Sequence, residues 1–165
     1  MSLAERKSSF PPHITPHARL LILGSLPGEA SLAARQYYAH PRNLFWRLMG
    51  EVLGEDLPAL PYQERLTALA RRHVGLWDAV ASASRKGSLD AAIRAVEANP
   101  LADLAARLPH LNAVACNGQA SHRIATRPLA TSGLPVIALP SSSPAHAAMP
   151  FAEKRSRWLE LRRFL

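Results

Sequence analysis

Apolar residues along the chain collect in short runs, and turn-forming segments separate the runs. Ala18–Leu23 is apolar apart from Arg19 and stops at Gly24-Ser25-Leu26-Pro27-Gly28, which predicts a buried strand feeding a tight loop. From Asn43 to Leu53 the apolar positions are 44, 45, 48, 49, 52 and 53, the spacing of one helical face, and Gly54 closes that helix. Tyr62–Arg72, after Pro61, predicts a second helix, and His73–Val80 a short strand ending near Trp77-Asp78. Ser88 suits the N-cap of a helix over Leu89–Ala98, and Asn99-Pro100 suits the cap and first position of the next, which ends before Pro109. Asn112–Cys116 and Leu134–Leu139 read as strands, with a helix over Gln119–Ala125 between them and a basic helix from Glu153 to Phe164 after them.

Alternation of this kind predicts an α/β fold, a three-layer sandwich whose central, mainly parallel four-stranded sheet is flanked by helices. At 165 residues the chain is expected to be one domain, 1–165, with residues 1–17 a Pro- and His-containing lead. Ligands of such sheets gather at the carboxyl ends of the strands. The loops there are Gly24–Gly28 with its extension to Asn43, Trp77–Gly87, Asn117-Gly118 and Pro140–His146.

Composition narrows the class. With 48% apolar and 19% charged residues the chain can bury a core, which excludes global disorder. No apolar run approaches the roughly 18 residues of a membrane-spanning helix, and Met1–Pro12 lacks the apolar segment of a secretory signal, so a cytoplasmic protein is expected. Cys116 is the single cysteine, and the seven histidines show no metal-ligand spacing, so neither a disulfide framework nor a zinc site is expected. Of the 20 basic residues 17 are arginine, and the net charge is +8. Paired guanidinium donors match phosphate oxygens, which fits a nucleic-acid partner; a GC-rich genome, which raises Arg and Ala together, gives the same bias.

Gly24–Gly28 is neither GxGxxG nor a Gly-Lys-Ser/Thr loop. It is either an ordinary turn or a rigid one that lets a ligand approach the backbone. Tyr37-Tyr38-Ala39-His40-Pro41-Arg42-Asn43 loads aromatic and polar groups immediately before a helix. Aromatic faces stack on unpaired bases, and an amide binds base edges or a water. Asn43 as a helix cap, with Phe45, Trp46, Leu48 and Met49 in the core, is the plainer reading of the neighbouring residues. Pro140-Ser141-Ser142-Ser143-Pro144-Ala145-His146 offers hydroxyl and backbone donors for phosphates, or is a solvated loop.

Together these segments resemble the uracil-DNA glycosylase superfamily, and most closely its hypoxanthine-DNA (deoxyinosine) glycosylase branch. Gly24–Gly28 resembles the first motif, and Tyr37–Trp46 the Tyr-Tyr-Ala-His-Pro-x-Asn-x-Phe-Trp block of that branch. Gly75–Asp78, Arg85–Asp90 and Leu139–Ala145 resemble later blocks, and the match spans about Phe10 to Leu165. The resemblance implies a cofactor-free, metal-free monomer that acts on DNA containing deaminated bases. The enzyme would extrude the base, hydrolyse its N-glycosidic bond and leave an abasic site. It assigns Asn43 and Asn117 as catalytic, and Gly24, Ser25, Leu26, Pro27, Gly28, Tyr38 and Asp78 to the base. His40, Arg42, Ser141, Ser142, Ser143, Pro144 and Ala145 fall to the DNA. Leu26 stands where other branches carry Asp or Asn to align water, which places the burden on Asn43 and points away from uracil. A uracil or mixed-specificity enzyme, a non-catalytic DNA-binding relative and a small-molecule nucleoside hydrolase are the competing readings.

Overall fold

The computed structural model describes residues 5–165, so the first four residues of the lead lie outside the described residues. In chain order the elements are β1 (Arg6–Ser8), β2 (Leu20–Gly24), α1 (Glu29–Ala34), α2 (Phe45–Leu53), α3 (Tyr62–Arg71), β3 (Val74–Asp78), β4 (Val80–Ser84), β5 (Arg94–Ala98), α4 (Leu101–Ala106), β6 (Ala113–Asn117), α5 (Gln119–Thr126), β7 (Val136–Leu139) and α6 (Phe151–Leu159).

The central sheet runs β3-β2-β6-β7, and every pair in it is parallel. Successive side chains of a strand point to opposite faces, so β2 feeds two cores. Leu20 and Ile22 pack with Phe45, Leu48 and Met49 of α2, Leu69 of α3 and Trp158 of α6. Leu21 and Leu23 pack on the other face with Leu101 and Leu104 of α4 and Ala125 of α5. A strand buried on both faces must be apolar at every position, which is why Leu20–Leu23 carries no alternation. The three-layer α/β sandwich is therefore as expected, and α2 ends as expected at Gly54, in the left-handed conformation (φ 69°).

Two expectations fail between Ser88 and Pro100. The helix over Leu89–Ala98 does not form. Asp90–Ala92 makes one 3₁₀ turn, and Arg94–Ala98 is an exposed strand in a second, antiparallel sheet ordered β1-β4-β5. Leu89, Ile93 and Val96 have helical spacing, but tertiary contacts override it. Asp90 is tied to Ser25 (Oγ donating to Oδ1, 2.5 Å), and β4 offers an open edge along which Arg94–Ala98 completes a ladder. Ser88 does act as a cap, but for another helix: its Oγ accepts the Glu29 N–H at the start of α1 (2.9 Å). Asn99 likewise does not cap α4. Its Nδ2 donates to the Asp78 carbonyl (2.7 Å), and Pro100 stands at the cap position.

Candidate active site

Four strand ends and the loops beyond them enclose a cavity of about 450 Å³, the size range of a small-ligand site. Gly24 closes β2, Asp78 closes β3 and Asn117 closes β6, while the chain leaving β7 supplies Ser141–His146. All of Gly24–Gly28 line the cavity, as do Tyr38, His40 and Asn43. Of the residues singled out from the sequence, Arg42 alone is not on the wall; it is exposed and donates its backbone N–H to His40 Nδ1 (3.1 Å).

Asn43 sits two residues before α2, where a helix presents N–H groups without partners. Its Oδ1 accepts the Phe45 N–H (2.9 Å) and also the Ser142 hydroxyl (2.8 Å). Two donors on one oxygen fix the amide's orientation, and the polar group Asn43 has left to offer is Nδ2. Asn117 holds Ser142 in turn: Nδ2 donates to Ser142 Oγ (2.8 Å), and Oδ1 accepts the Ser142 N–H (2.9 Å). Ser142 is thus buried as the bridge between the two asparagines, while Ser141 and Ser143 are only half-buried. One oxygen of Asn43 thus holds both the start of α2 and the serine loop, and the residue lines the cavity.

α6 holds the serine loop from behind. Buried Lys154 donates to the carbonyls of Ser141 (2.8 Å) and His146 (2.5 Å), and Trp158 Nε1 donates to that of Pro140 (3.0 Å). The Gly24–Gly28 loop has an equivalent anchor in Arg85, which is fully buried. Its guanidinium donates to the carbonyls of Leu26 (3.3 Å), Pro27 and Gly87 (3.1 Å) and lies 3.9 Å from Asp90. Neither Lys154 nor Arg85 was assigned a role from the sequence. A single charge on a loop or helix carries no periodicity, and only the folded carbonyls reveal its partners.

Tyr38 adopts a left-handed backbone (φ 56°), a strained state for a non-glycine residue. Its ring stacks on fully buried Phe45, with centroids 3.9 Å apart and planes 20° from parallel. Gly24 has room for no side chain: a Cβ there would lie 2.5 Å from Asp78 Oδ1 and 3.0 Å from Tyr38 Oη. Asp78 is buried, and the loss of solvation, helped by nearby Asp90 and opposed by Arg85, pushes its carboxyl up to about 7. Burial also drives the Tyr38 phenol well above its ordinary value, so it stays protonated. Among the described residues no group of three or more His, Cys, Asp or Glu side chains is arranged to hold a metal ion, and no helix is long and apolar enough to cross a membrane.

A parallel sheet with an amide-lined cavity at its carboxyl ends is the arrangement in which α/β proteins bind ligands at the strand tips. The chain belongs to the uracil DNA glycosylase superfamily, whose family model matches residues 11–162. Within it the chain is similar to a hypoxanthine DNA glycosylase of Methanosarcina barkeri, with 46% identity over 70% of this chain and 73% of the relative. A hypoxanthine DNA glycosylase of Methanosarcina acetivorans is 37% identical over 92% of this chain and 95% of its own length. The fold is also that of a solution NMR structure from Methanosarcina acetivorans, provisionally named a uracil DNA glycosylase. The TM-score is 0.87 at 34% identity, over 97% of this chain and 99% of the other.

Proposed function

We propose that this protein is a DNA repair glycosylase that flips a deaminated base, hypoxanthine by preference, out of DNA and hydrolyses its N-glycosidic bond. Family membership and two relatives named hypoxanthine DNA glycosylase support the reaction class and the base. The observation that carries the mechanism is the fixed amide of Asn43, its oxygen occupied and its Nδ2 left as a donor on the cavity wall.

Extruding a base costs a few kcal/mol, least where pairing is already poor, which favours a deaminated base. Tyr38 stacks on the extruded base, and the backbone of Gly24–Gly28 with Asp78 meets its edge. His40, Arg42, Ser141 and Ser143 hold the DNA backbone, while Pro144 and Ala145 press into the vacated stack. Ser142 and Asn117 orient Asn43. As the C1′–N bond breaks, negative charge grows on the base, and the Asn43 amide donates toward it. A preorganised donor of this kind contributes on the order of 3 kcal/mol. Leu26 supplies no carboxylate to activate water, so leaving-group stabilisation carries the reaction.

Among the described residues no lysine lines the cavity, so strand cleavage through a Schiff base has no nucleophile. The product is an abasic site in an intact strand. The enzyme is read as a single-domain cytoplasmic monomer that needs neither metal nor organic cofactor.

The test uses labelled duplexes that each carry one hypoxanthine, uracil or xanthine, incubated in EDTA and then treated with alkali. Hypoxanthine strands should break fastest, and only after alkali. Faster uracil release would keep the family and replace the base. Duplexes bound but never cleaved would make the protein a non-catalytic binder.

A further inference from the structure

Asp78 Oδ2 is sealed from solvent and has no hydrogen-bond partner among the described residues, while the other carboxyl oxygen, Oδ1, is the one that faces Gly24 beside Tyr38 Oη. Both residues line the cavity, and both crowd the Cα of Gly24, which has no side chain to fill the space they occupy. Buried polar atoms are almost always paired. A sealed, unpaired Oδ2 therefore favours the neutral carboxyl, on a residue that lines the cavity.

The protonation state decides what Asp78 offers. An ionised carboxylate with one oxygen sealed from water and unpaired is costly. The titratable and charged groups around it are Tyr37 and Tyr38 from the segment after α1, and Arg85 and Asp90 from the segment after β4. Asp90 and burial outweigh Arg85 and hold the carboxyl up to about 7, so it is neutral below that pH. A protonated carboxyl is a donor. The electron pair of the breaking C1′–N bond moves onto the base, so a carboxylate anion beside the base would oppose departure, whereas a neutral donor assists it.

We infer that Asp78 works in its neutral form, donating its carboxyl hydrogen to the O6 and N7 edge of an extruded 6-oxopurine and stabilising that base as it leaves. The inference rests on the glycosylase reading above. No bond to Asp78 is made or broken: the C1′–N bond breaks with its electrons on the base, and water gives hydroxyl to C1′ and a proton to the base. A 6-oxopurine offers two adjacent acceptors on this edge, whereas adenine sets a donor beside N7. A neutral carboxyl, donor and acceptor at once, can pair with either pattern, so this bond assists departure of the base without separating the two purines.

The experiment is the single-turnover rate on a hypoxanthine duplex from pH 5 to 9 for the native enzyme, Asp78→Asn and Asp78→Ala. Folding is checked by thermal unfolding and by binding to a duplex carrying an abasic-site analogue. The native rate should fall above an apparent pKa near neutrality. Asp78→Asn, which keeps a neutral donor that does not titrate, should lose no more than about tenfold at pH 6 and lack the alkaline limb. Asp78→Ala should lose on the order of a hundredfold at every pH. His40 and His146 line the same cavity. An alkaline limb that persists in Asp78→Asn therefore overturns the assignment. So does a native rate that rises through neutrality with an inactive Asn variant, which would make the carboxylate the working form. If the native enzyme releases no hypoxanthine at any pH, the underlying glycosylase reading fails instead, and this inference with it.

Discussion

Ser142 Oγ lies 2.8 Å from Asn43 Oδ1, and this bond ties the loop after β7 to the segment that opens α2. The same oxygen receives the Asn117 amide, so one hydroxyl sets the register between the two asparagines. Ser142→Ala strands Asn117 Nδ2 and removes one of the two donors that orient Asn43. Unfolding should become easier by about 1–3 kcal/mol, the cost of a buried unpaired group. Single-turnover excision should slow by on the order of tenfold while DNA affinity stays close to native, because the hydroxyl itself is buried.

Asn43 holds the start of α2 and, in the proposed mechanism, faces the base. Asn43→Ala loses both, with about 1 kcal/mol of stability from the cap and on the order of a hundredfold or more in rate. Asn43→Asp retains an oxygen for the Phe45 N–H and should unfold at or above the native temperature, yet excise as poorly as the alanine variant. Thermal melts beside single-turnover kinetics separate the two. Near-native turnover in either variant would remove Asn43 from the chemistry.

Asp78 links the site to the stability of the whole domain. In the fold its carboxyl holds a proton up to about 7, whereas in the unfolded chain it ionises near the ordinary value of 3.8. Between those values the unfolded state binds fewer protons, so this group lowers stability as pH rises, and above about 7 the loss is constant. Asp78→Asn removes that cost. Its melting temperature should exceed the native one by several degrees at pH 8, and the gap should close toward pH 4. A gap that widens toward low pH would contradict the buried neutral carboxyl.

Gly24 and Gly28 offer a contrast within one loop. A methyl at Gly24 would meet Asp78 Oδ1 at 2.5 Å and Tyr38 Oη at 3.0 Å, whereas at Gly28 its nearest neighbour is Ser88 Oγ at 3.4 Å. Gly24→Ala should cost about 1–3 kcal/mol of stability through overpacking and abolish excision by displacing both side chains. Gly28→Ala should leave the melting temperature near native. Equal effects from the two substitutions would mean that the crowding at Gly24 is not what shapes the cavity.

Much of this was legible in the sequence where packing is regular. Leu20–Leu23 announced a strand buried on both faces, the six apolar positions after Asn43 announced α2, and Gly24–Gly28, Asn117-Gly118 and Ser141–His146 line the cavity. Of the expected loop Trp77–Gly87 only Asp78 does, because Val80–Ser84 forms β4 against β1 and β5. Between Ser88 and Pro100 the local signals were real but answered to distant partners: Ser88 caps α1, and Asn99 bonds the Asp78 carbonyl. Arg85 and Lys154 left no trace because their partners are backbone carbonyls, which no residue type encodes. The orphaned state of Asp78 was likewise invisible, since it depends on how closely Tyr38 and Gly24 approach.

The central claim is tested most directly by mass spectrometry of a hypoxanthine-containing duplex after incubation with the enzyme in EDTA. The account predicts free hypoxanthine together with a full-length strand that has exchanged the base for a hydroxyl, and no shorter fragment. An unchanged strand, or one cut without alkali, would contradict it.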